Sequence, residues 1–261
     1  MVHVYSSQRP EFVRRVGKYI LEAQEEALKD DPKAHFIVGI SGGSLVKTLY
    51  EALVQDEEFA PKIRWSQWQL YFVDERMVPL DDPDSNYGAF KNGVLNPLAH
   101  RGGHLNLGPT VFAINESLVH GGPAEKEQLA KEYAEELPAS PFDLLLLGCG
   151  PDGHTCSLFP GEKHRYLLDL KEPVVHVSES PKPPSDRITF TLPVIEQANR
   201  VAFVAEGEGK KQIMHEIFDK HDTSLPTARI NSLIPTKVSW FVDPGAWQLV
   251  QTVKPEELQG Q

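Results

Sequence analysis

Short apolar runs alternate along this chain with longer stretches in which apolar positions recur every three or four residues. The runs Phe36–Ile40, Trp68–Val73, Phe142–Leu147, Val201–Ala205 and Val238–Val242 are bounded by turn or charged residues. Such runs suit strands buried on both faces, as in a parallel sheet. Val2–Tyr5 reads as an edge strand, Val111–Ile114 and Val174–Val177 as short strands, and Arg187–Thr191 as an alternating one. From Arg9 to Lys29, Phe12, Val13, Val16, Tyr19, Ile20, Ala23 and Ala27 keep helical spacing, with Pro10 and Pro32 as punctuation. Further helices are expected after Ser44 (Leu45, Thr48, Leu49, Leu53), over Tyr87–Leu95, Gly121–Leu137 and Leu192–Ala198, through Ile213, Ile217 and Phe218, and from Asp243 or Pro244 onward. His100–Pro109, with Gly102 and Gly103, reads as loop with His100 and His104 in solvent. Ile230–Pro235 reads as a turn or short helix, and the polar tail past Val253 as frayed. No internal repeat or linker divides residues 1–261. The pattern predicts one α/β domain with an open, mostly parallel twisted sheet flanked by helices.

Chemistry collects where strands end. Phe142–Pro160, FDLLLLGCGPDGHTCSLFP, passes from a leucine run into glycines that enclose Asp152 and His154. Open α/β sheets bind ligands at the carboxyl ends of their strands. Ser41-Gly42-Gly43-Ser44 lies between a strand and a helix, a layout that offers backbone N–H groups to phosphate. A plain tight turn with Ser44 as N-cap fits equally well. Asp74-Glu75-Arg76 follows the Trp68–Val73 run and reads as a solvated loop at another strand end. Ser180–Asp186, SPKPPSD, reads as an extended proline-rich loop. Gly207-Glu208-Gly209-Lys210-Lys211 places lysines at a helix start, where they oppose the helix dipole and favour an anion.

Composition narrows the partners. The 261 residues carry a net charge of −11, which argues against nucleic acid and anionic membrane as partners. A small anionic substrate remains compatible if a few cations converge on it. Two cysteines, Cys149 and Cys156, give no disulfide framework and suit a reducing, cytoplasmic setting. With His154 between them they lack the well-spaced ligands of a zinc site, so half-buried thiols are expected, with no metal and no cofactor. The N-terminus has no apolar signal segment, and no run has the length of a membrane span. The glycine turns lack the full Walker and dinucleotide fingerprints.

Taken together, Gly39-Ile-Ser-Gly-Gly-Ser44, Asp74-Glu75-Arg76, Gly148-Cys-Gly-Pro-Asp-Gly-His-Thr155, Ser157-Leu-Phe-Pro160, Arg187-Ile-Thr189 and Gly207-Glu-Gly-Lys210 resemble the 6-phosphogluconolactonase family, in family order over most of the chain. The Gly-x-Gly-x-Asp-Gly-His-Thr block is the specific part. The resemblance implies a Rossmann-like sheet shared with glucosamine-6-phosphate deaminases. It also implies hydrolysis of the δ-lactone of 6-phosphogluconate in the oxidative pentose phosphate pathway; no obligate protein partner is expected. Cys156 stands where many relatives carry alanine, and the match is loose over Ile230–Lys237.

Lactone hydrolysis needs an activated water and a stabilised oxyanion. A histidine suits the base at neutral pH. His154 is therefore the expected general base, Asp152 its orienting partner, Arg76 the cation facing the oxyanion, and Asp74 a supporting group. Gly42, Gly43 and Ser44 would hold the phosphate together with Arg187 and Lys210. Ser157 is a nucleophile in principle, with capping the simpler role. Three rivals remain: a deaminase of the same fold, a non-catalytic sugar-phosphate binder and a dinucleotide oxidoreductase. The deaminases are similar to one another in a tyrosine after the Asp-Glu pair and a glutamate after the histidine, where this chain has Arg76 and Phe159.

Overall fold

The structure, a computed structural model, describes residues 1–31, 34–101 and 108–256. The expectations for Pro32, Gly102, Gly103 and His104 lie outside them.

The strands are β1 (His3–Ser6), β2 (Phe36–Ile40), β3 (Trp68–Phe72), β4 (Asp74–Arg76), β5 (Thr110–Phe112), β6 (Leu144–Leu147), β7 (Val174–Val177), β8 (Arg187–Phe190), β9 (Val201–Ala205) and β10 (Val238–Val242). The helices are α1 (Glu11–Leu28), α2 (Leu45–Tyr50), α3 (Asn86–Phe90), α4 (Asn96–Arg101), α5 (Pro123–Glu135), α6 (Leu192–Gln197), α7 (Lys211–Phe218), α8 (Pro226–Leu233) and α9 (Pro244–Trp247). α2 runs on through a wide π-type turn at Glu51–Gln55, and α3 is joined to α4 by another at Lys91–Leu95.

Seven strands form one parallel sheet in the order β1-β10-β9-β6-β2-β3-β5. Its central strands are buried on both faces, because successive side chains point to opposite sides. Leu144 and Leu146 join Phe12, Ile20, Leu49 and Phe90 on one side, whereas Leu145 and Leu147 join Leu129, Met214, Phe218 and Trp240 on the other. The leucine run is thus a two-faced core strand. From β2 the chain winds toward β3, and from β6 toward β9. The carboxyl ends of β2 and β6, which are adjacent, therefore flank the crevice expected at a switch in winding direction.

Three expectations are corrected. Asp74-Glu75-Arg76 is not a solvated loop. It is strand β4, paired antiparallel with β8 in a second small sheet, β4-β8-β7, and Asp74 and Glu75 are buried. The segment His100–Pro109 is helical through Arg101, with His100 exposed as expected. Ile230–Pro235 is helical and then turns, as expected: it begins in the second half of the short helix α8. The tail, as far as it is described, is tied down: the Glu256 N–H donates to the Val4 carbonyl at 2.7 Å, and its carboxylate pairs with His3.

Candidate active site

β6 delivers its chain into a loop that folds back on itself. Gly150 N–H donates to the His154 carbonyl at 2.9 Å, and Gly153 N–H to the Gly150 carbonyl at 3.0 Å. Thr155 Oγ1 anchors the loop to the Gly148 carbonyl, and Thr227 Oγ1 to the Gly153 carbonyl. The turn lays the His154 ring directly over Gly150. A Cβ on Gly150 would sit 2.0 Å from His154 Nδ1 and 2.6 Å from Asp152 Oδ1, so the close approach requires glycine.

His154 Nδ1 lies 2.5 Å from Asp152 Oδ1, which also accepts the His154 backbone N–H at 3.2 Å. Partial burial pushes the Asp152 carboxyl up, but the hydrogen bond and charge of His154 together hold it well below the usual carboxylate range. An ionised carboxylate only accepts hydrogen bonds, so Nδ1 donates to Asp152 and Nε2 is the ring nitrogen left to face a substrate. Phe159, fully buried, packs against the imidazole with centroids 5.0 Å apart, and the Arg187 guanidinium lies over the Phe159 ring at 5.5 Å.

His154 borders a pocket of about 270 Å³, lined also by Ser41, Gly42, Gly43, Ser44, Asp74, Arg76, Lys182, Arg187 and Lys210. Each sequence-predicted residue except Asp152 lines it, and Asp152 stands behind His154. The tight turn is present, with Val46 N–H donating to the Gly43 carbonyl at 3.2 Å, but the Ser44 side chain makes no capping hydrogen bond, so its hydroxyl is not spent on the helix. Gly42 admits the Asn86 side chain: a Cβ there would lie 2.0 Å from Asn86 Oδ1. Asn86 Nδ2 in turn donates to the Asp74 carbonyl at 3.0 Å. Sequence reading passed over Asn86, because its role depends on a contact 44 residues away.

The acidic groups near the pocket are occupied. Asp74 Oδ2 accepts the Ser157 hydroxyl at 2.7 Å. Ser157 is fully buried, so its hydroxyl is committed to this carboxylate rather than to a cap and is closed off from the pocket as a nucleophile. Glu206 is held by Arg9 Nε at 2.8 Å, and the same guanidinium contacts Glu51 and Thr48. Glu75 accepts the backbone N–H groups of Arg76, Asn86 and Tyr87 at 2.7–2.9 Å, and the Ser85 hydroxyl at 3.3 Å. Burial pushes it up to about 7 against the pull of those donors.

The cations differ in availability. Arg76 Nη1 donates to the Asp84 carbonyl, while its buried Nε has no partner among the described residues. Lys210 Nζ contacts the Cys149 carbonyl at 2.5 Å. Arg187, buried, spends Nε on the Pro184 carbonyl at 3.1 Å and Nη2 on those of Lys182 and Pro183 at 3.2 and 3.3 Å. It clamps the proline-rich loop and leaves only Nη1, 3.5 Å from Ser157 Oγ, facing the site. Burial lowers its pKa, partly offset by the nearby Asp74 charge. Lys182, which the sequence reading did not single out, joins the lining. Both thiols are fully rather than half buried, and burial pushes them up, Cys149 to about 12. Among the described residues, no group of three or more His, Cys, Asp or Glu is placed to hold a metal ion.

An open α/β sheet with a cationic pocket at its winding switch and a His–Asp pair at the rim is a framework for acid–base chemistry on a small anion. Comparison with known proteins makes the class specific. Residues 7–240 match the family model described as glucosamine-6-phosphate isomerases/6-phosphogluconolactonase. The chain is 51% identical over 245 residues to 6-phosphogluconolactonase 4 of Saccharomyces cerevisiae, covering 94% of this chain and 96% of that one. It is 51% identical over 247 residues to 6-phosphogluconolactonase 3 of the same yeast, with the same coverage. The solved 6-phosphogluconolactonase of Trypanosoma brucei superposes with a TM-score of 0.76 at 27% identity, covering 96% of this chain and 99% of that one. The chain belongs to the glucosamine-6-phosphate isomerase/6-phosphogluconolactonase family.

Proposed function

We propose that this protein hydrolyses 6-phospho-D-glucono-1,5-lactone to 6-phospho-D-gluconate, as a carboxylic ester hydrolase of the oxidative pentose phosphate pathway. The carrying observation is that His154, oriented by Asp152, shares one pocket with the Gly42–Ser44 turn and four cations. The identity to yeast 6-phosphogluconolactonases over most of both chains supports the same substrate.

In this mechanism His154 Nε2 removes a proton from water as the water oxygen bonds to the lactone carbonyl carbon. The Asp152 carboxylate stabilises the imidazolium that forms, as in other oriented His–carboxylate pairs. Arg76 faces the tetrahedral oxyanion. Collapse breaks the bond from that carbon to the ring oxygen, and His154 returns its proton to the departing oxygen. The product acid then loses its remaining proton to solvent. The Gly42–Ser44 turn, Lys210 and Arg187 Nη1 hold the phosphate, which positions the reacting ring. Asp74 supports this arrangement by fixing Ser157 and Asn86. No step requires a metal or cofactor.

We place the activity in one domain spanning 1–261, because the sheet draws strands from β1 to β10 and the family match spans residues 7–240. No helix among the described residues is long and apolar enough to cross a membrane. The acidic charge and the two free thiols support cytoplasmic work on a small molecule, without nucleic acid, membrane or obligate protein partner. The test is generation of the lactone in situ, following its decay with and without protein and subtracting spontaneous hydrolysis. Catalysed decay is expected, whereas ammonia release from glucosamine 6-phosphate would favour the deaminase reading.

A further inference from the structure

The pocket cations are unequal, and the inequality assigns a role to a residue outside the motifs. Arg76, Arg187 and Lys210 each donate to backbone carbonyls. The Lys182 ammonium makes no hydrogen bond or ion pair among the described residues, yet it lines the pocket and its charge helps lower the Asp152 carboxyl. Contacts place its loop on the His154 side of the pocket: Arg187 holds the Lys182 carbonyl and lies over the Phe159 ring, which packs against the His154 imidazole.

The loop that carries it is built to hold it there. Ser180 N–H donates to the Ser185 carbonyl at 3.0 Å and closes the loop. Ser180 Oγ donates to the Lys182 carbonyl at 2.9 Å and accepts the Lys182 N–H at 3.2 Å. Arg187, buried behind the loop, grips the carbonyls of residues 182, 183 and 184. A buried arginine and both backbone groups of Lys182 are thus committed to fixing a lysine whose own charge is left unpaired. An ordinary surface lysine has no such support and points its ammonium to bulk water.

We infer that Lys182 binds the reacting end of the substrate, taking the lactone carbonyl oxygen as it becomes the carboxylate of the product. This rests on the lactonase reading. Hydrolysis converts a neutral ester into a second anion, and a cation beside the catalytic pair is where that anion forms. The phosphate is left to the Gly42–Ser44 turn, Lys210 and Arg187 Nη1. Lys182 thereby distinguishes the carboxylate end from the phosphate end.

The experiment compares two competitive inhibitors of lactone hydrolysis: 6-phosphogluconate, and glucitol 6-phosphate, which has CH₂OH in place of the carboxylate. Lys182→Met should weaken 6-phosphogluconate by about 10–100-fold, as expected for a lost charge-assisted hydrogen bond. Glucitol 6-phosphate should bind as it does to the wild type, and Lys182→Arg should restore most of the difference. Equal weakening of both compounds would place Lys182 at the phosphate and overturn the inference. No weakening of either would reduce it to a surface lysine, which also overturns it. If the wild-type protein fails to hydrolyse the lactone, the functional reading falls first and the inference falls with it.

Discussion

The His154 imidazole occupies the space that a side chain on Gly150 would need, with Nδ1 2.0 Å from the position of the missing Cβ. The glycine is a seat for the base, four residues before it in sequence and hydrogen-bonded to it through the backbone. Gly150→Ala should push the ring off Asp152 while leaving the sheet intact. A displacement of about 1 Å at a catalytic group costs about 10²-fold. A fall in kcat of that order, with an unchanged circular dichroism spectrum, is expected from steady-state kinetics. A wild-type kcat would show that the ring does not need this seat.

Asp152 makes the neighbouring prediction. Asp152→Asn keeps the shape but offers an amide N–H that can face Nδ1, moving the ring proton to Nε2 and removing the base. Losses of about 10²–10⁴-fold in kcat are expected, with KM little changed. Nitrogen-15 NMR of the imidazole should show the tautomer switch in parallel. The wild-type pair also has a stability signature. Because the folded carboxyl lies below its ordinary value of 3.8, the stability it contributes is present above that pH and is lost as pH falls below it.

Glu75 predicts the opposite slope. Its carboxyl is raised from 4.5 to about 7 in the folded protein, mainly by burial. Between these values the unfolded chain has released the proton and the folded chain retains it. Stability from this group is therefore full below about pH 4.5 and falls as pH rises toward 7, by about 3 kcal/mol in total. Urea unfolding of wild type and Glu75→Gln across pH 5–8 should show this slope in the first and its loss in the second. Glu75→Gln should also be less stable at pH 5, because its amide NH₂ must meet a backbone N–H at either oxygen position, an unsatisfied contact worth about 1–3 kcal/mol. Parallel pH curves would contradict the assignment.

Most of the frame was legible in the chain. The apolar runs became β2, β3, β6, β9 and β10 because parallel core strands are apolar on both faces, and the glycine turns marked their carboxyl ends. Asp74-Glu75-Arg76 misled for a physical reason. Three consecutive charges signal solvent unless partners exist, and the partners here are Ser157, Asn86 and the backbone of 86–87, distant or not recognisable as donors. Arg187 was legible as a pocket residue but not as a clamp, since its acceptors are carbonyls, which every residue has. Lys182 carried no signal beyond its prolines. The tail reads as free because polar sequence hides backbone pairing such as that of Glu256 with Val4.

The central claim is that His154 is the base of a lactonase, and kcat for 6-phosphogluconolactone hydrolysis by wild type and His154→Asn tests it most directly, with spontaneous decay subtracted and folding verified. Catalysed decay by the wild type and a fall of about 10²–10⁴-fold in the variant are predicted, the usual contribution of a general base. A variant as fast as the wild type, or a wild type no faster than buffer, would contradict the account.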